Sequence, residues 1–127
     1  MDKEAISTPK APKALGPYSQ AIKVGKMAFL SGQIGIIPET NELPEGFISQ
    51  THQCIKNLAC VTHALGGDLN HIVKLTVYLT DMENFSTLNE IMTHYFSPPY
   101  PARAVLAVAK LPREALIEVE GIMLLEK

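Results

Sequence analysis

Three charged residues stand where charge is out of place. In residues 101–121, PARAVLAVAKLPREALIEVEG, Arg103 opens an apolar run over 104–109. Glu118 and Glu120 interrupt a second run, made of Leu116, Ile117, Val119, Ile122 and Leu124. A planar guanidinium can hold a carboxylate through two parallel hydrogen bonds. A carboxylate near it can orient or deprotonate a water. The pair therefore suits a small-molecule site, and the competing interpretation is a structural ion pair, which looks the same in sequence. The Pro-containing break at 110–114 predicts that the two runs are neighbouring strands. Alternation then puts Glu118 and Glu120 on one face with Leu116, Ile122 and Leu124. A carboxylate in such a setting has to be paired, hydrogen-bonded or used.

The rest of the chain must position these groups. Residues 1–16, with Pro9 and Pro12, form an irregular arm. Residues 19–24 and 27–31 read as a hairpin across Gly25-Lys26. Gly32-Gln33-Ile34-Gly35 is a break where backbone can come close to a ligand, and it lacks the third glycine of a dinucleotide fingerprint. Residues 36–46 carry Pro38, Asn41, Pro44 and Gly46 and form a loop. From Phe47 to about Leu65 the residues Phe47, Thr51, Cys54, Ile55, Leu58, Val61, Thr62 and Leu65 recur at helical spacing, and Gly66-Gly67 closes that helix.

Residues 71–80 alternate as a strand, with Val73, Leu75, Val77 and Leu79 against Lys74, Thr76, Tyr78 and Thr80. Asp81 caps a second helix over 83–96, with Phe85, Leu88, Met92, Tyr95 and Phe96 as its stripe. Asn89 lies at the edge of the stripe, and its amide needs a partner, in a local or interhelix bond or in a site. The prolines of 97–101 end the helix. Hairpin, helix, strand, helix and two strands predict one α+β domain over 1–127, two helices on a mixed sheet. Two helices cover one face, yet residues 104–109 are apolar on both, so the second face should pack against other copies of the chain.

Composition narrows the function classes. The chain has 127 residues, 46% of them hydrophobic, with a net charge of −2. Lysines and arginines are scattered, and there is no aromatic-and-basic stripe of the kind that binds single strands, which argues against a nucleic-acid partner. No stretch is long and apolar enough to span a bilayer. No apolar secretory segment opens the chain, which makes the cytoplasm the expected compartment. Cys54 and Cys60, six residues apart on a helix, are about 9 Å apart by helical rise, beyond disulfide reach, and are expected as buried thiols. His52, His63, His71 and His94 show no metal-ligand spacing, and nothing points to a cofactor.

GPYSQA at 16–21, FLSGQIG at 29–35, PAR at 101–103 and AKLPREALIEVEG at 109–121 resemble the RidA/YjgF family of reactive-intermediate deaminases, also known as L-PSP endoribonucleases. The similarity runs over nearly the whole chain from Gly16 on. It implies a chorismate-mutase-like fold, a homotrimer with its sites between subunits, and no metal or organic cofactor. It also implies hydrolysis of 2-aminoacrylate and related 2-imino acids, released by pyridoxal-phosphate enzymes, to 2-oxo acids and ammonia. The matching site residues are Tyr18, Ser31, Asn89, Arg103 and Glu118, with backbone after Gly32 lining the same pocket. In that scheme Arg103 fixes the carboxylate, and Glu118 handles water or the imine nitrogen. Tyr18 shapes the pocket or donates a hydrogen bond. Many members carry Cys two residues after the arginine, and this chain has Val105. A non-enzymatic 2-oxo-acid-binding regulator and an endoribonuclease or translation inhibitor are the alternatives.

Overall fold

The computed structural model describes residues 2–125. Six strands form one sheet: β1 (Glu4–Ile6), β2 (Ala21–Val24), β3 (Met27–Gln33), β4 (Ile72–Leu79), β5 (Ala102–Ala107) and β6 (Ile117–Leu124). Two helices, α1 (Phe47–Ala64) and α2 (Phe85–Met92), accompany them, with short 3-10 turns at Leu69–His71, Met82–Asn84 and Pro112–Glu114. The strand order is β1-β2-β3-β6-β4-β5. Only β4 and β5 run parallel. This is the expected α+β architecture with a mixed sheet.

The hairpin forms as the sequence suggests. Val24 faces Met27 across a two-residue turn, in which Gly25 takes a φ of 60° that L side chains rarely adopt. The helical stripe of α1 is buried at all eight expected positions. Beyond Leu65, Gly66 N–H bonds His63 O and Gly67 N–H bonds Thr62 O, the paired closure that a left-handed Gly66 allows. Asp81 Oδ1 accepts Glu83 N–H at 3.0 Å and so caps the start of the second helical segment.

Several expectations need correction. The arm is not wholly irregular, because β1 adds to the sheet edge opposite β2. The 104–109 and 116–124 runs are not neighbours: β4 lies between them, parallel to β5 and antiparallel to β6. A turn as short as 110–114 could join an adjacent antiparallel pair, but here it crosses over one strand. β5 starts one residue ahead of Arg103, at Ala102. Val73 is exposed because the β4–β6 register shifts between Ile72 and Lys74; Ile72 takes the buried place. The regular part of α2 ends at Met92, with turns after it. Cys54 is buried, whereas Cys60 is half-buried; both are free.

The sheet has two unlike faces. Leu75, Val77, Leu79, Ile117, Val119 and Met123 point to the helices and are buried. On the other face Met27, Phe29, Leu106 and Leu124 remain between 38% and 47% exposed.

Candidate active site

Glu118 and Arg103 project from opposite faces of the sheet. Residues paired in register share a face. Arg103 is paired with buried Leu75, so it faces the helices. Glu118 is paired with Tyr78 on the open face. Two strand spacings and three residues of rise also separate them, roughly 14 Å between Cα atoms. The one close contact between a basic side chain and a carboxylate among the described residues joins His71 and Asp68 at 3.3 Å. Within one chain, then, Arg103 and Glu118 are not a structural ion pair.

A β-bulge builds the Glu118 side. Leu30 pairs with Gly121 and Gln33 with Val119, so Ser31 and Gly32 together oppose one residue of β6. A bulge of this kind re-aims side chains and is common beside sites. It brings Gly32 beneath the Glu118 carboxylate, where an added Cβ would collide with the carboxylate and lie 2.8 Å from its Cδ. Glu118 opens into a cleft of about 240 Å³ shared with Tyr18, Gly32, Gln33, Ile34 and Arg113. Burial first, and the Glu120 charge second, hold the Glu118 carboxyl above its ordinary range. Glu120 itself accepts from the Tyr78 hydroxyl at 2.9 Å.

Buried amides fix the cleft walls. Gln20 Nε2 donates to Pro12 O at 2.8 Å, and its Oε1 accepts Thr8 N–H at 2.6 Å. The arm is thereby tied to the sheet, and Pro12, Lys13 and Leu15 form one wall. Ser31 Oγ donates to Ser19 O at 2.6 Å, so this predicted binding residue secures the bend that carries Tyr18. Gln50 Oε1 accepts Leu116 N–H at 2.9 Å, just ahead of β6.

Arg103 has its own setting. Its guanidinium donates to Asn89 Oδ1 at 2.8 Å and lies 5.5 Å from the centre of the Phe85 ring. Asn89 and Arg103 share a cavity of about 330 Å³ with Met92, Phe96 and Tyr100. The amide at the edge of the α2 stripe thus finds its partner in the arginine. Val105 packs against the core.

The predicted residues fall into two groups: Tyr18, Gly32 and Glu118 with Ser31 behind them, and Arg103 with Asn89. Sequence spacing singles out neither Arg113 nor Asn41. Both take left-handed backbone, with φ of 60° and 61°, and Arg113 Nη2 donates to Asn41 O at 3.0 Å across the rim of the Glu118 cleft. The only available cue was the proline-led turn LPRE.

Comparison with known proteins identifies the family. The profile of the Endoribonuclease L-PSP family matches residues 8–125. A RutC family protein of Pyrococcus abyssi is 49% identical over 123 residues, 96% of this chain and 97% of that protein. The 2-iminobutanoate/2-iminopropanoate deaminase of Mus musculus is 46% identical over 121 residues, 94% of this chain and 90% of that one. The crystal structure of RidA from an Antarctic Psychrobacter species superposes with a TM-score of 0.94 at 48% identity, covering 96% of this chain and 99% of the other.

Proposed function

This chain belongs to the Endoribonuclease L-PSP family, and on that footing we propose that it is an enamine/imine deaminase, hydrolysing small 2-imino acids to 2-oxo acids and ammonia. The observation that carries the proposal is the split arrangement. A carboxylate with a raised proton affinity waits in one cleft, and an arginine already oriented by an amide waits on the opposite face. The two groups meet when the open face of one copy receives the Arg103 side of another, as in a homotrimer with sites between subunits. Arg103 then holds the substrate carboxylate, with Asn89 fixing the guanidinium. Tyr18, Ser31 and Gly32 shape the other half.

The chemistry requires little more. An imine carbon is already electrophilic, so holding substrate and water in attack geometry is the main task. Glu118 takes a proton from the attacking water and passes it to the imine nitrogen, giving a carbinolamine. The carboxylate then takes the hydroxyl proton and delivers it to the amino nitrogen. The C–N bond breaks, ammonia leaves, the hydroxyl oxygen becomes the 2-oxo oxygen, and Glu118 is left ionised as it began. A positioned carboxyl in this role is worth about 10²–10⁴-fold in rate. With Val105 two residues after Arg103, no thiol stands beside the carboxylate anchor in this scheme.

The test follows 2-imino acid, generated by an amino-acid oxidase, against its spontaneous hydrolysis. Arg103→Ala should stay folded and lose nearly all catalysed turnover and 2-oxo acid binding. Arg103→Lys should rescue poorly, because an ammonium cannot make the planar two-bond contact. Full activity in folded Arg103→Ala would rule the mechanism out.

A further inference from the structure

Behind the Glu118 cleft, α1 presents polar groups to the backbone at the end of β3. Cys54 Sγ donates to Gln33 O at 2.8 Å. Asn57 Nδ2 donates to Ile34 O at 3.1 Å and to Ile36 O at 2.8 Å. Gln53 Nε2 donates to Asn57 Oδ1 at 2.9 Å, which sets the amide's orientation. Cys54 and Asn57 are 0% and 1% exposed. Both peptides flanking Ile34 are therefore pinned from the helix side. A trans peptide is planar, with its N–H opposed to its C=O. Drawing Gln33 O toward α1 turns the Ile34 N–H away from the helix, toward the cleft that Gln33 and Ile34 line with Glu118. That N–H has no hydrogen-bond partner among the described residues, whereas Ile37 N–H donates to Glu42 O at 2.9 Å. A backbone donor left without a partner beside a cleft calls for water or a ligand.

On the premise that the Glu118 cleft is the deaminase site, we propose that Asn57 and Cys54 are positioning residues that aim the Ile34 N–H at one reacting oxygen. That oxygen enters as water, becomes the carbinolamine hydroxyl and leaves as the 2-oxo group. Glu118 takes its proton while the Ile34 N–H fixes its place, so the attack direction is set by two groups anchored on different elements. Neither side chain touches substrate, and both act through the backbone. Carboxylate anchoring on Arg103 is independent of them, so their loss should appear in kcat rather than KM.

The test uses the full chain with oxidase-generated 2-iminobutanoate, well below the melting temperature of every variant. Cys54→Ala removes the donor to Gln33 O, and Cys54→Ser restores one in a side chain of nearly equal volume. Cys54→Ala should lower kcat by on the order of 10- to 100-fold, the cost of a displacement of about 1 Å, with KM within about twofold. Cys54→Ser should recover most of kcat. A role through packing alone would make the buried hydroxyl no better than the methyl group. Asn57→Asp keeps the shape but sets an anionic oxygen against Ile34 O and Ile36 O. It should lower kcat in the same way and speed amide exchange at Ile34. Equal kcat in Cys54→Ala and Cys54→Ser, or losses confined to KM, would overturn the proposal. Absence of imino acid turnover in the parent protein would instead reject the deaminase premise.

Discussion

Glu118 is held between two opposing demands: burial and the Glu120 charge favour its proton, whereas base catalysis needs it ionised. The acid limb of kcat/KM should therefore lie above the ordinary glutamate value of about 4.3. Glu120→Gln keeps an acceptor for Tyr78 but removes the like charge, so the limb should move to lower pH. A limb unmoved in a pH–rate profile would deny the coupling. The same shift fixes a sign for stability. A carboxyl raised in the folded state favours folding least when ionised, so its penalty grows as pH climbs from the unfolded value through the raised one. Glu118→Gln should melt with the parent near pH 4 and no lower than it at pH 7–8. Cys54 belongs to this scale too. Burial pushes its thiol well above the ordinary range, so alkylating reagent under native conditions should modify half-buried Cys60 and leave turnover nearly intact.

At the scale of elements, two glycines close together should respond differently to the same substitution. At Gly32 an added methyl meets the Glu118 carboxylate, the far end of a flexible side chain that can swing aside. Gly32→Ala should fold almost as well as the parent and lose most of its activity. At Gly35 the methyl meets backbone, with Gln50 Cα at 2.9 Å, and α1 cannot yield. Gly35→Ala should cost about 1–3 kcal/mol in stability, as overpacking does. Paired melting and turnover measurements separate the two, and equal stability losses would mean that Glu118 is as rigid as the helix. Local signals made the hairpin, α1, its Gly66 closure and the Asp81 cap readable in the sequence, because each rests on residues within one turn of one another. Strand order was not readable this way. That β4 separates β5 from β6 is set by packing between residues more than twenty apart, and the prolines and charges of 110–114 suit a hairpin equally well. The bulge at Ser31-Gly32 left only a glycine as its trace. Gln20, Gln50 and Asn57, which hold the cleft, look like ordinary polar residues until their carbonyl partners are seen.

For the whole molecule the decisive fact is that Arg103 and Glu118 face opposite sides of one sheet. The side that carries Glu118 also leaves Met27, Phe29, Leu106 and Leu124 exposed, and apolar side chains gathered on one sheet face suit packing against another copy. A closed ring of three copies would cover it and join the two half-sites. Light scattering should give about three times the 13.9 kDa chain mass, and Leu106→Glu should reduce it. Mixed assembly gives the sharper test. Arg103→Ala and Glu118→Gln proteins are each expected to be nearly inactive. If every site takes its arginine from one copy and its glutamate from the next, trimers reassembled from an equal mixture hold both native groups in about a quarter of their sites. Activity should then return to about that fraction of the parent's, although neither partner regains its missing side chain. If each site lay within one chain, no mixture could contain an intact one, and the mixed sample would stay as inactive as its components.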